Sequence, residues 1–210
     1  MTYDVGTLRK HFPSLSSGIA HFDGPGGTQT PRAVGEAVAS TLTGPLSNRG
    51  RSVLSERNAD DAVVAFRQAF GDFLGVDPRG VVYGRSATQI VYDFARNLAK
   101  QWGRGDEVIV SRLDHDSNIR PWMQAAEAVG ATARWLDFDP QSGEVDMASL
   151  DAMLGPQTRV VAITGASNLI GTKPAVRAIA DRAHAAGALT WVDGVHHAAH
   201  EFVDMAALAA

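Results

Sequence analysis

The chain has 210 residues, 45% of them hydrophobic and 20% charged, with a formal net charge of −4 at pH 7. These proportions describe an ordinary globular protein with enough length for one good-sized core. Acids outnumber bases by 23 to 19 and no block of Lys or Arg occurs, which argues against nucleic acid or an anionic membrane as partner. With no cysteine, disulfides, thiolate metal sites and a cysteine nucleophile are excluded within these residues. No apolar run approaches the ~20 residues of a membrane span. The start, Met1-Thr2-Tyr3-Asp4, has no basic segment leading into an apolar stretch, so a cytoplasmic location is expected.

In chain order, a glycine-rich loop at 21–28 comes first. Pro31 then suits the first turn of a helix running to about Leu42. A polar loop at 44–51 leads into a second helix, about 56–74, in which Val63, Phe66, Phe70, Phe73 and Leu74 keep a helical spacing. From there the pattern alternates. Strand-like runs at 81–83, 108–110, 132–136, 160–163 and 189–192 are separated by helical stretches near 87–102, 118–129, 147–154 and 174–186. Such alternation implies βαβ units and a mostly parallel sheet flanked by helices, an α/β fold. The last residues, 203–210, read as a helix just starting. We divide the chain into an N-terminal segment with active-site loops, 1–55, and a ligand-binding domain, 56–210.

In open α/β sheets, ligands bind beyond the carboxyl ends of the strands, and several candidate residues follow strand-like runs. Ser86, Ala87 and Thr88 open a helix, where free amides and small hydroxyls suit a phosphate; simple N-capping by Ser86 is the alternative. His115 follows the run at 108–110 and can stack on a flat ring or titrate near neutrality; otherwise it is a capping or loop residue, with Ser117 or Asn118 capping the next helix. Asp193 closes the run Leu189-Thr190-Trp191-Val192. It reads either as a carboxylate delivered to a ligand or as the cap of the next turn. His196 follows it, and Asn168 lies in the loop after the run at 160–163. His196 and His200, four apart, are the basis of a rival reading, a zinc-dependent hydrolase with Asp193 as third ligand.

Six segments taken together resemble the class V aminotransferase family, especially its cysteine desulfurase and selenocysteine lyase branch. They are Phe22-Asp23-Gly24-Pro25-Gly26-Gly27-Thr28, Ser47-Asn48-Arg49-Gly50, Ser86-Ala87-Thr88, Leu113-Asp114-His115-Asp116-Ser117-Asn118 with Pro121-Trp122, Ser167-Asn168-Leu169-Ile170-Gly171-Thr172, and Val192-Asp193-Gly194-Val195-His196. The resemblance implies the large domain of a fold type I enzyme that uses pyridoxal 5′-phosphate. It also implies C–S lyase activity on cysteine or a related amino acid. By position, Ser86, Ala87 and Thr88 would hold the phosphate. His115, the expected catalytic residue, would stack on the pyridine ring, and Asp193 would pair with the ring nitrogen. Asn168 and His196 would lie at the ring hydroxyl, His196 standing where many relatives have Gln. Asn48 and Arg49 would reach the substrate.

Relatives of this family place their cofactor-linking lysine some two dozen positions beyond the aspartate. The lysines here are Lys10, Lys100 and Lys173, all before Asp193. The sequence-based expectation is therefore a large domain incomplete at its C-terminus and of low activity by itself. A homodimer or a complementing chain is the expected partner, and a non-catalytic fragment binding the cofactor or such a chain is the alternative.

Overall fold

In the computed structural model, residues 4–24 and 26–209 are described; Pro25, within the first quoted motif, lies outside them, as do residues 1–3 and 210. The described residues fall into two compact units, one reaching Ala69 and the other starting at Phe70.

The first unit is helical. A five-residue helix α1, Val5–Arg9, is absent from the sequence-based expectation. Asp4 starts it by accepting from the Thr7 amide (3.1 Å) and hydroxyl (2.6 Å). Helix α2, Arg32–Thr43, follows Pro31, whose fixed backbone sits just before the first turn. Its apolar positions Val34, Val38 and Leu42 recur every four residues on one face, and they are 50%, 54% and 74% exposed. Helix α3, Leu54–Leu74, begins in this unit and ends in the second.

The second unit is a three-layer α/β arrangement. Helix α4, Ala87–Leu98, precedes strand β1, Glu107–Ser111. Then come α5 (Arg120–Val129), β2 (Thr132–Leu136), α6 (Met147–Met153), β3 (Thr158–Thr164), α7 (Val176–Ala185) and β4 (Leu189–Asp193). Short helices α8, His197–His200, and α9, Met205–Ala209, follow; the latter is the helix expected at the end of the chain. All four strands are parallel, in the order β2-β1-β3-β4. Parallel strands need helical crossovers, which cover both faces and make the strands nearly continuous in apolar residues.

Alternation along the strands divides the core in two. Val108, Val110, Val160 and Ala162 face α4 and α5, with Trp122 at the centre and Trp191 packed beside them. Ile109, Val161 and Ile163 point the other way, onto Leu150 of α6 and Ile179 and Ala183 of α7, with Val192 alongside. Helix α5 ends on Gly130 at φ 77°, a left-handed conformation open to glycine without a Cβ penalty, and the chain turns directly into β2.

One expected element is not formed. Residues 81–83 have strand-like composition but run as irregular chain, with Val82 and Tyr83 exposed. A strand exists only where a neighbour completes its hydrogen-bond ladder, and among the described residues no strand ladder includes this segment.

Candidate active site at the carboxyl edge of the sheet

Because the sheet is parallel, the turns after β1, β3 and β4 all leave from the same edge. They carry His115, Asn168, and Asp193 with His196, respectively. Ser86 precedes α4, and α4 packs against the turn that follows His115. Asn48 and Arg49 belong to the first unit.

Asp193 is half-buried at the last rung of β4, in register with Thr164 of β3. Its Oδ1 accepts from the Val195 amide at 2.9 Å, so it does cap the following turn. Among the described residues no hydrogen bond reaches Oδ2. One carboxylate oxygen orients the group and the other is left for a donor at the edge.

His115 is exposed and caps the 3-10 turn Asp116–Asn118. Its Nδ1 accepts from the Ser117 amide (3.2 Å) and lies 2.8 Å from the Ser117 hydroxyl. A backbone amide can only donate, so the proton of the neutral ring sits on Nε2. Ser117 and Asn118 do not cap α5, contrary to the sequence-based alternative. Helix α5 follows Ile119 without a side-chain cap. Asn118 is fully buried instead, donating from Nδ2 to Asp114 Oδ1 (2.6 Å) and accepting from Trp122 Nε1 (3.3 Å).

Ser86 caps α4 by accepting from the Gln89 amide at 3.2 Å. The Ala87 and Thr88 amides, in the first helical turn, have no acceptor inside the helix. Asn168 sits half-buried in a turn held by buried Ser167, whose amide donates to the Thr172 carbonyl (2.9 Å) and whose carbonyl accepts from Gly171 (3.0 Å). Lys173 donates to both carboxylate oxygens of Glu201, at 2.7 and 3.0 Å. This ties the loop bearing Asn168 to the segment after α8. His196 packs its ring on His200 with centroids 4.6 Å apart, and among the described residues no group of three or more His, Asp or Glu side chains converges to hold a metal. His197 lies against Gly165, where a Cβ would fall 2.9 Å from Nδ1; only glycine lets the end of β3 approach α8 so closely. In the first unit, Arg49 donates to Asp60 from Nε (2.8 Å) and Nη2 (2.5 Å), which lowers the pKa of Asp60.

Asp114 carries no expected role, yet it is the most perturbed acid at this edge. Burial pushes its carboxyl up to about 7, against the opposing effect of hydrogen bonds from Asn118 and the Thr164 amide, and with a further upward push from Asp193. The signal for it lay in the four-residue spacing of Asp114, Asn118 and Trp122, which the turn at 116–118 and the start of α5 bring into line.

The amino-terminal anchor points of this edge fit a phosphorylated, cationic aromatic ring. The Ala87 and Thr88 amides and a hydroxyl are donors of the kind that suit an anion, Asp193 Oδ2 is an acceptor of the kind that suits a cationic N–H, and the exposed His115 imidazole offers a flat surface.

The family described as aminotransferase class-V matches residues 20–210. A cysteine desulfurase of Dickeya dadantii is 32% identical over 98% of this chain and 52% of its own length. An uncharacterised protein of Mycobacterium tuberculosis is 34% identical over 98% of this chain and 52% of its own. Among solved structures, the cysteine desulfurase CsdA of Escherichia coli superposes with a TM-score of 0.87 at 25% identity, covering 99% of this chain and 53% of that one. A C-DES mutant with glycine covalently linked to its PLP cofactor shares the fold, with a TM-score of 0.80 at 22% identity. The chain spans about half the length of the curated relatives it matches.

Proposed function

Because the chain belongs to the class V aminotransferase family, we propose that it forms the cofactor-anchoring part of a pyridoxal 5′-phosphate-dependent enzyme. The activity proposed is that of a cysteine desulfurase-like C–S lyase acting on cysteine or a related amino acid, in the cytoplasm. When bound, the cofactor supplies a protonated pyridine ring that accepts electron density from the substrate's Cα.

This chain's residues have distinct tasks in that reading. Asp193 would hold the proton on the ring nitrogen with its free Oδ2, Oδ1 being fixed by Val195. The amides of Ala87 and Thr88, with the Ser86 and Thr88 hydroxyls, would hold the phosphate. His115 would stack on the ring and offer Nε2–H for proton movement at the substrate. Asn168 and His196 would orient the ring hydroxyl, and the role of Asn48 and Arg49 toward the substrate rests on the family resemblance alone. The exposed face of α2 supports pairing with a second copy or a complementing chain.

The observation that carries this reading is the half-occupied carboxylate of Asp193 at the carboxyl edge. The test is Asp193→Asn, with pyridoxal phosphate affinity read by absorbance. A charge-assisted hydrogen bond of this kind is worth roughly 1.5–3 kcal/mol, so affinity falls about ten- to a hundredfold. His200→Asn serves as the control and leaves affinity alone. Unchanged binding in Asp193→Asn, with metal lost from His200→Asn, would overturn the reading in favour of a zinc site.

A further inference from the structure

A closed circuit of contacts runs around the carboxyl edge. Asp114 Oδ1 accepts from Asn118, Asn118 accepts from Trp122, and the Trp122 ring meets Trp191 with centroids 5.3 Å apart. Trp191 and Asp193 are two apart on β4 and so share the face toward α4 and α5. Asp193 is in register with Thr164, and the Thr164 amide donates back to Asp114 Oδ2 at 2.9 Å.

Neither of the two donors to Asp114, Asn118 Nδ2 and the Thr164 amide, requires a charged acceptor. A buried carboxylate beside a second one costs folding energy that a neutral side chain would not. Asp193 is the charged group acting on Asp114. The others nearby are engaged elsewhere: Arg112 with Asp137, Asp116 with Arg120, and His115 with Ser117. Among the described residues this leaves Asp193 as the charge acting on Asp114.

We propose that Asp114 is a positioning residue for Asp193, fixing the rung on which Asp193 stands and setting the charge beside it, so that the hold of Asp193 on a cationic ring nitrogen depends on Asp114. This rests on the cofactor reading above. Two neighbouring carboxyls favour sharing one proton, and the more deeply buried one keeps it. Asp114 is then neutral near pH 6. A cation bound at Asp193 offsets the second charge and favours loss of the Asp114 proton to solvent. Affinity for the cation consequently rises as pH passes through the Asp114 titration.

The test has two arms. In the first, aspartate carboxyl carbons are labelled and followed by NMR from pH 4 to 9 in the chain without cofactor. The wild-type Asp193 resonance is expected to move when Asp114 titrates, and Asp193→Asn to move the Asp114 titration to lower pH. In the second, pyridoxine 5′-phosphate, which has no aldehyde to react with lysine, is titrated between pH 6 and 8 against wild type, Asp114→Asn, Asp114→Glu and Asp193→Asn. Taking the ratio of wild-type to Asp114→Asn affinity cancels the probe's own titration. That ratio is expected to rise roughly three- to tenfold over this range, the linkage of about half to one pKa unit, and Asp114→Glu to restore part of the rise. A flat ratio, with an Asp114 titration indifferent to Asp193→Asn, overturns the proposal while weakened binding by Asp193→Asn leaves the cofactor reading standing. Binding unaffected by Asp193→Asn overturns the cofactor reading itself. If Asp114→Asn does not fold, or the probe does not bind, the NMR arm decides, because wild type and Asp193→Asn are enough: no coupling between the two carboxyls refutes the assignment.

Discussion

The amide of Thr164 donates to the carboxylate of Asp114 at 2.9 Å, joining residues 50 apart in sequence. The bond fastens the turn after β1 to the last residue of β3, which stands beside Asp193 on β4. Three neighbouring strands are thereby fixed at the edge where the candidate site lies. The buried acid that fixes them has consequences for stability as well as for binding.

The first consequence is a pH dependence. The Asp114 carboxyl is raised from 3.8 to about 7 in the folded chain, chiefly by burial. The folded state therefore binds the proton more tightly than the unfolded state. The contribution is fully present below pH 4 and is lost as pH rises through about 7, amounting to at most ~4 kcal/mol. Urea unfolding at pH 5 and pH 8 should show wild type losing stability over this interval and Asp114→Asn losing much less. Parallel behaviour of the two would show that Asp114 is ionised throughout.

Trp122 separates packing from hydrogen bonding in the same circuit. It is fully buried among Trp102, Trp191 and the β1 and β3 side chains. Trp122→Ala leaves a large cavity and is expected to cost about 3–5 kcal/mol. Trp122→Phe keeps most of the ring contact and removes the donor to Asn118, at a cost of roughly 1–3 kcal/mol. Equal losses in thermal unfolding for the two variants would mean that the Asn118 bond, and not ring packing, dominates.

Ser86 can be resolved into a cap and a ligand group by two substitutions. Ser86→Ala is expected to destabilise by ~1 kcal/mol, and Ser86→Gly by only a few tenths, since glycine is tolerated at an N-cap. If the hydroxyl also donates to phosphate, both variants lose pyridoxal phosphate affinity to a similar degree. Affinity that follows stability, falling in Ser86→Ala but not in Ser86→Gly, would make Ser86 a cap alone.

The exposed stripe on α2 predicts association. Val38→Glu places a charge in the middle of Val34, Val38 and Leu42, and an exposed substitution of this kind alters monomer stability by ~0.5 kcal/mol or less. Sedimentation velocity should show wild type self-associating and the variant shifted toward monomer. Wild type sedimenting as a monomer at the same concentrations would refute pairing through this face.

The sequence makes much of the architecture legible because strand and helix periods are local properties. Runs at 108–110, 132–136, 160–163 and 189–192 fall within β1 to β4, and the helices between them follow within a few residues. The failure at 81–83 is equally instructive. Its residues favour a strand, but a ladder is a property of two segments, and the composition of one does not reveal whether a second strand lies beside it. Helix α1 went unrecognised because five residues carry too little periodicity, and its start depends on one Asp4 cap.

By itself the sequence determined the layer order and the placement of His115, Asn168 and Asp193 after strands, since a parallel α/β chain delivers every strand end to one edge. It also determined the family, through ordered motifs spread over nearly the whole chain. Tertiary structure alone decided what each polar group does there. His115 rather than Asn118 caps the turn, Asp193 commits one oxygen to Val195, Lys173 is joined to Glu201, and Asp114 is enclosed beside a second acid. Hydrogen-bond partners and desolvation come from groups far apart in the chain, and only folding brings them within reach of one another.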